Sequence, residues 1–156
     1  MGQISTCSHP DFLQILTDIE DFWGSNRTLC YHHPMFINEF GNTAFIIKDN
    51  DLVIAYLFGF VSQTAHTGYV HLIGVRSNYQ KKGLGRILYG HFMEYLRSIG
   101  IQHLKAITTP TNQQSINFHL SLGMEMTGVE NGNGIKVVKD YSGAGEHRVV
   151  FTMRFA

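Results

Sequence analysis

Residues 70–99 read VHLIGVRSNYQKKGLGRILYGHFMEYLRSI, and what they fold into decides the class of the chain. Val70 to Arg76 reads as a buried strand, Gln80-Lys81-Lys82-Gly83-Leu84-Gly85 as a short loop, and a long helix opens at or just after Gly83. A strand that runs through a glycine-bearing loop into a helix start leaves backbone N–H groups without intrahelical partners. They point at one spot under the positive end of the helix dipole. That is a place for an anion. Lys81, Lys82 and Arg86 add mobile positive charge at its rim, and Gly83 and Gly85 let a phosphate approach the backbone because no Cβ intervenes.

The spacing narrows the anion. A P-loop needs GxxxxGK[ST], and in a dinucleotide fingerprint the third glycine would fall where Leu88 stands. Use of this loop by a nucleotide-binding oxidoreductase or a kinase-like protein is therefore disfavoured. The residues match [RQ]xxGx[GA] instead. The stretch resembles the acyl-CoA pyrophosphate loop of the GCN5-related N-acetyltransferase (GNAT) superfamily, in which a strand, this loop and the following helix form the central motif.

Working outward, Leu84, Ile87, Leu88, His91, Phe92, Tyr95, Leu96 and Ile99 give the helix a broad apolar face, and Gly100 is its stop. Upstream, Gln3 to Cys7 reads as a strand, and Ser8 caps a helix that runs to about Asp21 with Phe12, Ile15, Leu16 and Ile19 on one stripe. Trp23 and Arg27 stand in the loop that follows, where Trp23 either folds back on the core or forms a wall of an acceptor pocket. Pro34 to Phe40 is a short helix, and Thr43 to Lys48 with Asp51 to Ser62 a hairpin turning at Asn50. Downstream, Ile101 to Ile107 is a strand, and Thr111 and Gln114 have capping-box spacing for a helix from about Asn112 to Leu122. Met124 to Thr127 and His147 to Phe155 are the last strands. Between them Asp140 to Glu146 reads as a flexible loop fit to edge a pocket.

On the Asn112 helix, Asn112, Ser115 and His119 share a polar stripe, while Ile116 and Leu120 are better placed to pack on the core. The whole reads N-x-x-S-I-x-F-H-x-x-L-G-M and resembles the superfamily's N-x-x-A-x-x-F-Y-x-x-x-G-F segment. There the asparagine contacts the acyl-CoA, and the tyrosine is often the acid that protonates the departing thiolate. His119 replaces that tyrosine. The Trp23-Gly24…Arg27 loop with the Asp140-Tyr141-x-Gly143-x-Gly145-Glu146 ending looks like a bacterial subgroup, from which no acceptor is carried over.

Composition agrees with one compact domain over residues 1–156, long enough to bury roughly two thirds of its surface. Lys+Arg 12 balance Asp+Glu 12, so no nucleic-acid or membrane partner is expected. Two cysteines, no leader pattern and no long apolar run predict a soluble, cytoplasmic protein, and the scattered histidines predict no metal.

The resemblance implies an α/β (α+β) single-domain fold: a mixed sheet of about six to seven strands with one splayed pair that takes acyl-CoA, and about four helices. It implies acetyl-CoA as co-substrate, with pyrophosphate on the amides of Lys82 to Arg86 beside Gln80 and Lys81, and pantetheine along Ile73, Gly74 and Val75. Asn112, Ser115 and His119 complete the cofactor set. The reaction implied is direct attack by a primary amine of a small molecule or peptide, with no covalent enzyme intermediate. His119, if protonated, is the candidate proton donor and Tyr141 the reserve; a water relay past His71 or Tyr69 is the candidate route for deprotonation. Trp23, Arg27, Tyr69 and Tyr141 are the candidate acceptor residues. A non-catalytic acyl-CoA sensor of the same fold is the alternative, and homodimers are common among such proteins.

Overall fold

The structure, a computed structural model, describes residues 2–155. They fall into two compact units, one built from residues up to 60 together with 70–99, the other from 61–69 together with 100 onward.

The first unit opens with β1 (Ile4–Thr6), followed by α1 (His9–Thr17), α2 (Ile19–Trp23) and α3 (Met35–Asn38). β2 (Ala44–Asp49), β3 (Leu52–Ser62), β4 (Thr67–Val75) and α4 (Leu84–Ser98) follow, the far ends of β3 and β4 belonging to the second unit. α1 begins behind the expected Ser8 cap, which proves to be a capping box: the Ser8 hydroxyl accepts from the Asp11 amide, and the Asp11 carboxylate accepts from the Ser8 amide. The single helix expected to Asp21 is two helices, broken at Asp18, which raises the count of α-helices among the described residues to five. β1, β2, β3 and β4 lie side by side in that order, with β1·β2 and β2·β3 antiparallel.

Phe12 and Ile15 of α1, Ile19 and Phe22 of α2 and Phe36 of α3 pack with Ala44, Ile46, Val53, Tyr56, Phe58 and Leu72 into one buried cluster. Tyr56 is its polar centre. The Trp23 indole N–H donates to the Tyr56 hydroxyl (2.6 Å), which donates to His32 Nε2 (2.7 Å), while His32 Nδ1–H donates to the Thr28 carbonyl (2.8 Å). The Trp23 indole N–H, the Tyr56 hydroxyl and both His32 ring nitrogens each have a partner, which is what lets them stay buried. Burial holds the His32 imidazole down at about 4. Gly74 is fixed by the same ring: a Cβ there would lie 2.7 Å from Tyr56 Cε1. α4 buries Leu84, Gly85, Leu88, Tyr89, Phe92 and Leu96. Ile87 and Ile99, expected on that face, are instead about half exposed at 49% and 47%.

The second unit contains β5 (His103–Thr108), α5 (Gln113–Ser121), β6 (Glu125–Thr127) and β9 (Val149–Arg154), with sheet order β5-β9-β6 and both pairs antiparallel. A two-stranded ribbon, β7 (Val129–Glu130) with β8 (Lys136–Val137), was not foreseen. Seven strands in sheet order, four and three, with five α-helices give the mixed α/β fold that the sequence implies. α5 turns a different face inward from the one expected. Ile116 and His119 are its buried residues, and Leu120 is 42% exposed.

Candidate acyl-CoA and acceptor residues

β4 ends at Val75, and the chain then makes a 3-10 turn over Ser77–Tyr79 before the loop. Lys81 (φ 63°) and Gly83 (φ 83°) both take the left-handed conformation, which suits the glycine and costs a lysine about 1 kcal/mol. α4 starts behind Gly83 with no side chain capping it, the Ile87 amide bonding back to the Gly83 carbonyl at 3.0 Å. No acidic residue stands in its first turn. The positive end of the α4 dipole is thus left without a carboxylate from its own first turn.

Around the loop each side chain has a definite place. Gln80 Nε2 donates to the Val75 carbonyl (3.0 Å), so it straps the loop to the end of β4 and engages one acceptor of the strand edge expected to receive pantetheine. The Lys82 ammonium lies 5.4 Å from the Tyr79 ring centroid, and the Tyr79 hydroxyl donates to Asp49 (2.8 Å). Ile73 and Val75 are half-buried, alternating with the buried Leu72 and Gly74.

Arg76, not singled out from the sequence, anchors this region. Its amide donates to the Ile54 carbonyl (2.8 Å), and its guanidinium donates from Nε to the Val53 carbonyl (2.9 Å) and from Nη1 to Asp18 (3.2 Å) and Asp21 (3.1 Å), stacked over Phe22. Hydrogen bonds from the Ser77 hydroxyl and then from Arg76 hold the Asp21 carboxyl below its ordinary range. Its partners lie 23 and 55 to 58 positions away. No local pattern announces that.

Of the candidate acceptor residues in the first unit, Trp23 is committed to Tyr56, the inward alternative. Arg27 is exposed, 5.7 Å over the Trp23 ring. His71 stacks on Phe36 (4.6 Å, 15°) and its Nε2–H donates to the Tyr31 carbonyl (3.2 Å). Burial lowers its pKa, which favours the neutral ring.

In the second unit, Asn112 is the cap of α5: its side chain accepts from the Ser115 amide (3.1 Å). The Thr111–Gln114 capping box is thereby displaced by one residue. His119 lies 2% exposed, stacked on Phe151 (4.7 Å, 13°), and its Nδ1–H donates to the Ser115 carbonyl (2.7 Å). Burial pushes its pKa down to about 4. At neutral pH the ring is uncharged with no proton on Nε2, so the charged proton donor considered from the sequence is not its resting form.

The 140–146 loop is crossed by internal hydrogen bonds. The Gly143 amide donates to the Asp140 carbonyl (3.2 Å), Glu146 to Gly143 (2.9 Å), Ser142 to Glu146 (3.0 Å), and Gly145 to the Asp140 carboxylate (2.8 Å). It thereby presents Tyr141. The structure brings Tyr141 and Tyr69 together around a residue missed in the sequence: Lys105 Nζ lies 5.6 Å from the Tyr69 ring centroid and 5.8 Å from that of Tyr141. Burial, with Tyr141 beside it, raises the Tyr69 pKa and keeps that phenol neutral.

Among the described residues no group of three His, Cys, Asp or Glu is placed to hold a metal, and no helix is long and apolar enough to cross a membrane.

Solved structures of the same fold include a GNAT-family protein from Desulfovibrio desulfuricans (TM-score 0.79, 17% identity, 99% of each chain covered). Others are the Escherichia coli ribosomal-protein-S18-alanine N-acetyltransferase (0.70, 18%, 100% of this chain and 95% of that one) and an aminoglycoside 6'-N-acetyltransferase complexed with coenzyme A (0.70, 14%, 97% and 96%). By sequence, the chain is 28% identical over 86 residues to the L-2,4-diaminobutyric acid acetyltransferase of Shouchella clausii, a match spanning 54% of this chain and 48% of that protein. The model of the acetyltransferase (GNAT) family matches residues 12–124, which takes in the uncapped helix start, its lysines and the Asn112 helix: the chain belongs to the GNAT family.

Proposed function

We propose that residues 1–156 act as one acetyl-CoA-dependent N-acetyltransferase domain that moves the acetyl group to a primary amine of a small molecule or peptide. The observation that carries the proposal is the start of α4, a helix of 15 residues that opens at Gly83 with neither a side-chain cap nor a first-turn carboxylate, next to Lys81 and Lys82. In this reading the amides of Lys82 to Arg86 hold the pyrophosphate, with Lys81 alongside and Gln80 as the strap that positions the loop. Pantetheine lies along Ile73 to Val75, and a backbone N–H there polarises the thioester carbonyl and stabilises its oxyanion.

The amine attacks the carbonyl directly, so the enzyme needs only to move two protons. Water relayed past His71 or Tyr69 takes the first, and burial favours the neutral form of the His71 ring. Tyr141 is the candidate donor of the second, to the departing thiolate. His119 packs α5 on β9 instead.

The family membership and the diaminobutyric acid acetyltransferase relative support amine acetylation. The test is release of CoA thiol from acetyl-CoA with a panel of diamines, amino acids, aminoglycosides and peptide N-termini. Release that depends on one acceptor class, and falls about tenfold or more in His71→Asn, is the expected result. Binding of acetyl-CoA without release on any amine would leave an acyl-CoA-binding protein without turnover.

A further inference from the structure

The second unit holds a half-open cavity of about 550 Å³ whose wall includes the half-buried Lys105 and Thr152 and the exposed His103, Glu125 and Arg154. Strand register explains why these groups converge. His103 pairs with Arg154, Lys105 with Thr152, and Glu125 with Thr152 on its other side, so all five stand on one face of β5-β9-β6. The other face carries Ala106 and Phe151, which are buried, and α5 covers it through His119 on Phe151.

Charge on the cavity face is unbalanced and uncommitted. Among the described residues neither Lys105 nor Arg154 forms an ion pair, and Lys105 is half-buried between Tyr69 and Tyr141. Two ring faces hold an ammonium in place by cation–π attraction without consuming its N–H donors as a carboxylate would. Those donors await an anion. Along the row Lys105–Thr152–Glu125 the order is cation, hydroxyl, anion, with the two charges two strand spacings apart, about 10 Å. A lone anion would leave Glu125 repelled, and a simple diamine would leave Lys105 and Arg154 unanswered. A molecule with a carboxylate at one end and an ammonium at the other satisfies both.

We propose that this cavity binds a small diamino carboxylic acid, its carboxylate on Lys105 and Arg154 and one of its ammonium groups on Glu125. As an identification of the acceptor class, this rests on the transferase reading; as a binding site, it does not. The probes are lysine and cadaverine, which differ by the carboxylate alone, titrated calorimetrically into the full chain with and without saturating CoA. Lysine should bind at least tenfold more tightly than cadaverine. Lys105→Ala should weaken lysine about tenfold and leave cadaverine unchanged, Lys105→Arg should restore the preference, and Glu125→Gln should weaken both. Equal affinity for the two probes, no lysine binding in either condition, or indifference to Lys105→Ala would each overturn the proposal. Failure of the transferase reading is visible separately: lysine would bind as expected while acetyl-CoA bound or reacted with nothing.

Discussion

The loop before α4 and the opening of α5 look alike in sequence, each a family motif with polar residues aimed at a ligand, yet the structure uses them differently. At the loop no side chain caps the helix start at Gly83, no carboxylate stands in its first turn, and the Lys82 ammonium lies over the Tyr79 ring. At α5 the polar groups are spent within the protein, Asn112 on the Ser115 amide and His119 on the Ser115 carbonyl and the Phe151 ring. A motif residue keeps a ligand role only where the fold leaves its hydrogen bonds unspent. The difference makes opposite predictions for the two regions.

Acid should separate them most. The folded pKa of His119, about 4, lies below its ordinary 6.5, so between those values the unfolded chain binds the extra proton. Stability is therefore complete above about pH 6.5 and falls as pH drops toward 4, by roughly 3 kcal/mol from this ring. His32 adds a second loss of the same sign over the same window. Denaturant unfolding at pH 7 and pH 4.5 measures the slope, and His119→Phe should flatten part of it. A slope unchanged in that variant would mean His119 is not the buried neutral ring described.

Removing the ring outright is next in size. His119→Ala empties space against Phe151 and should cost about 3 kcal/mol of stability while acetyl-CoA affinity stays within twofold. The loop should answer in reverse. Lys81→Ala with Lys82→Ala should leave the melting temperature nearly unchanged, lower acetyl-CoA affinity about tenfold or more, and make that affinity less sensitive to salt. Smallest of the four, Asn112→Ala should cost about 1 kcal/mol as a lost cap, with little change in binding. A large loss of acetyl-CoA affinity in Asn112→Ala, with stability intact, would return that residue to the ligand.

How much of this was legible follows from what each feature depends on. The strand, loop and α4 could be read because glycine conformations, lysine clustering and apolar spacing are local, and the Ser8 cap was read correctly for the same reason. The phase of α5 could not. Ile116 with Leu120 and Ile116 with His119 are both plausible inward pairs, and the choice is made by Phe151, 32 residues on in the chain. Thr111 and Asn112 are equally good caps by type, and tertiary geometry chose between them. Arg76 and Lys105 were missed because their partners are distant in sequence, and the β7–β8 ribbon because two strands of two residues leave no periodicity to see.

The most direct test of the central claim, that the 80–86 loop is an acyl-CoA site, is a calorimetric titration of acetyl-CoA beside CoA, ATP and NADH at one ionic strength. The account predicts micromolar binding of acetyl-CoA and CoA, a rise in melting temperature with each, and no competition from ATP or NADH. No binding of acetyl-CoA would contradict it, and the uncapped start of α4 would then be an ordinary helix opening exposed to water.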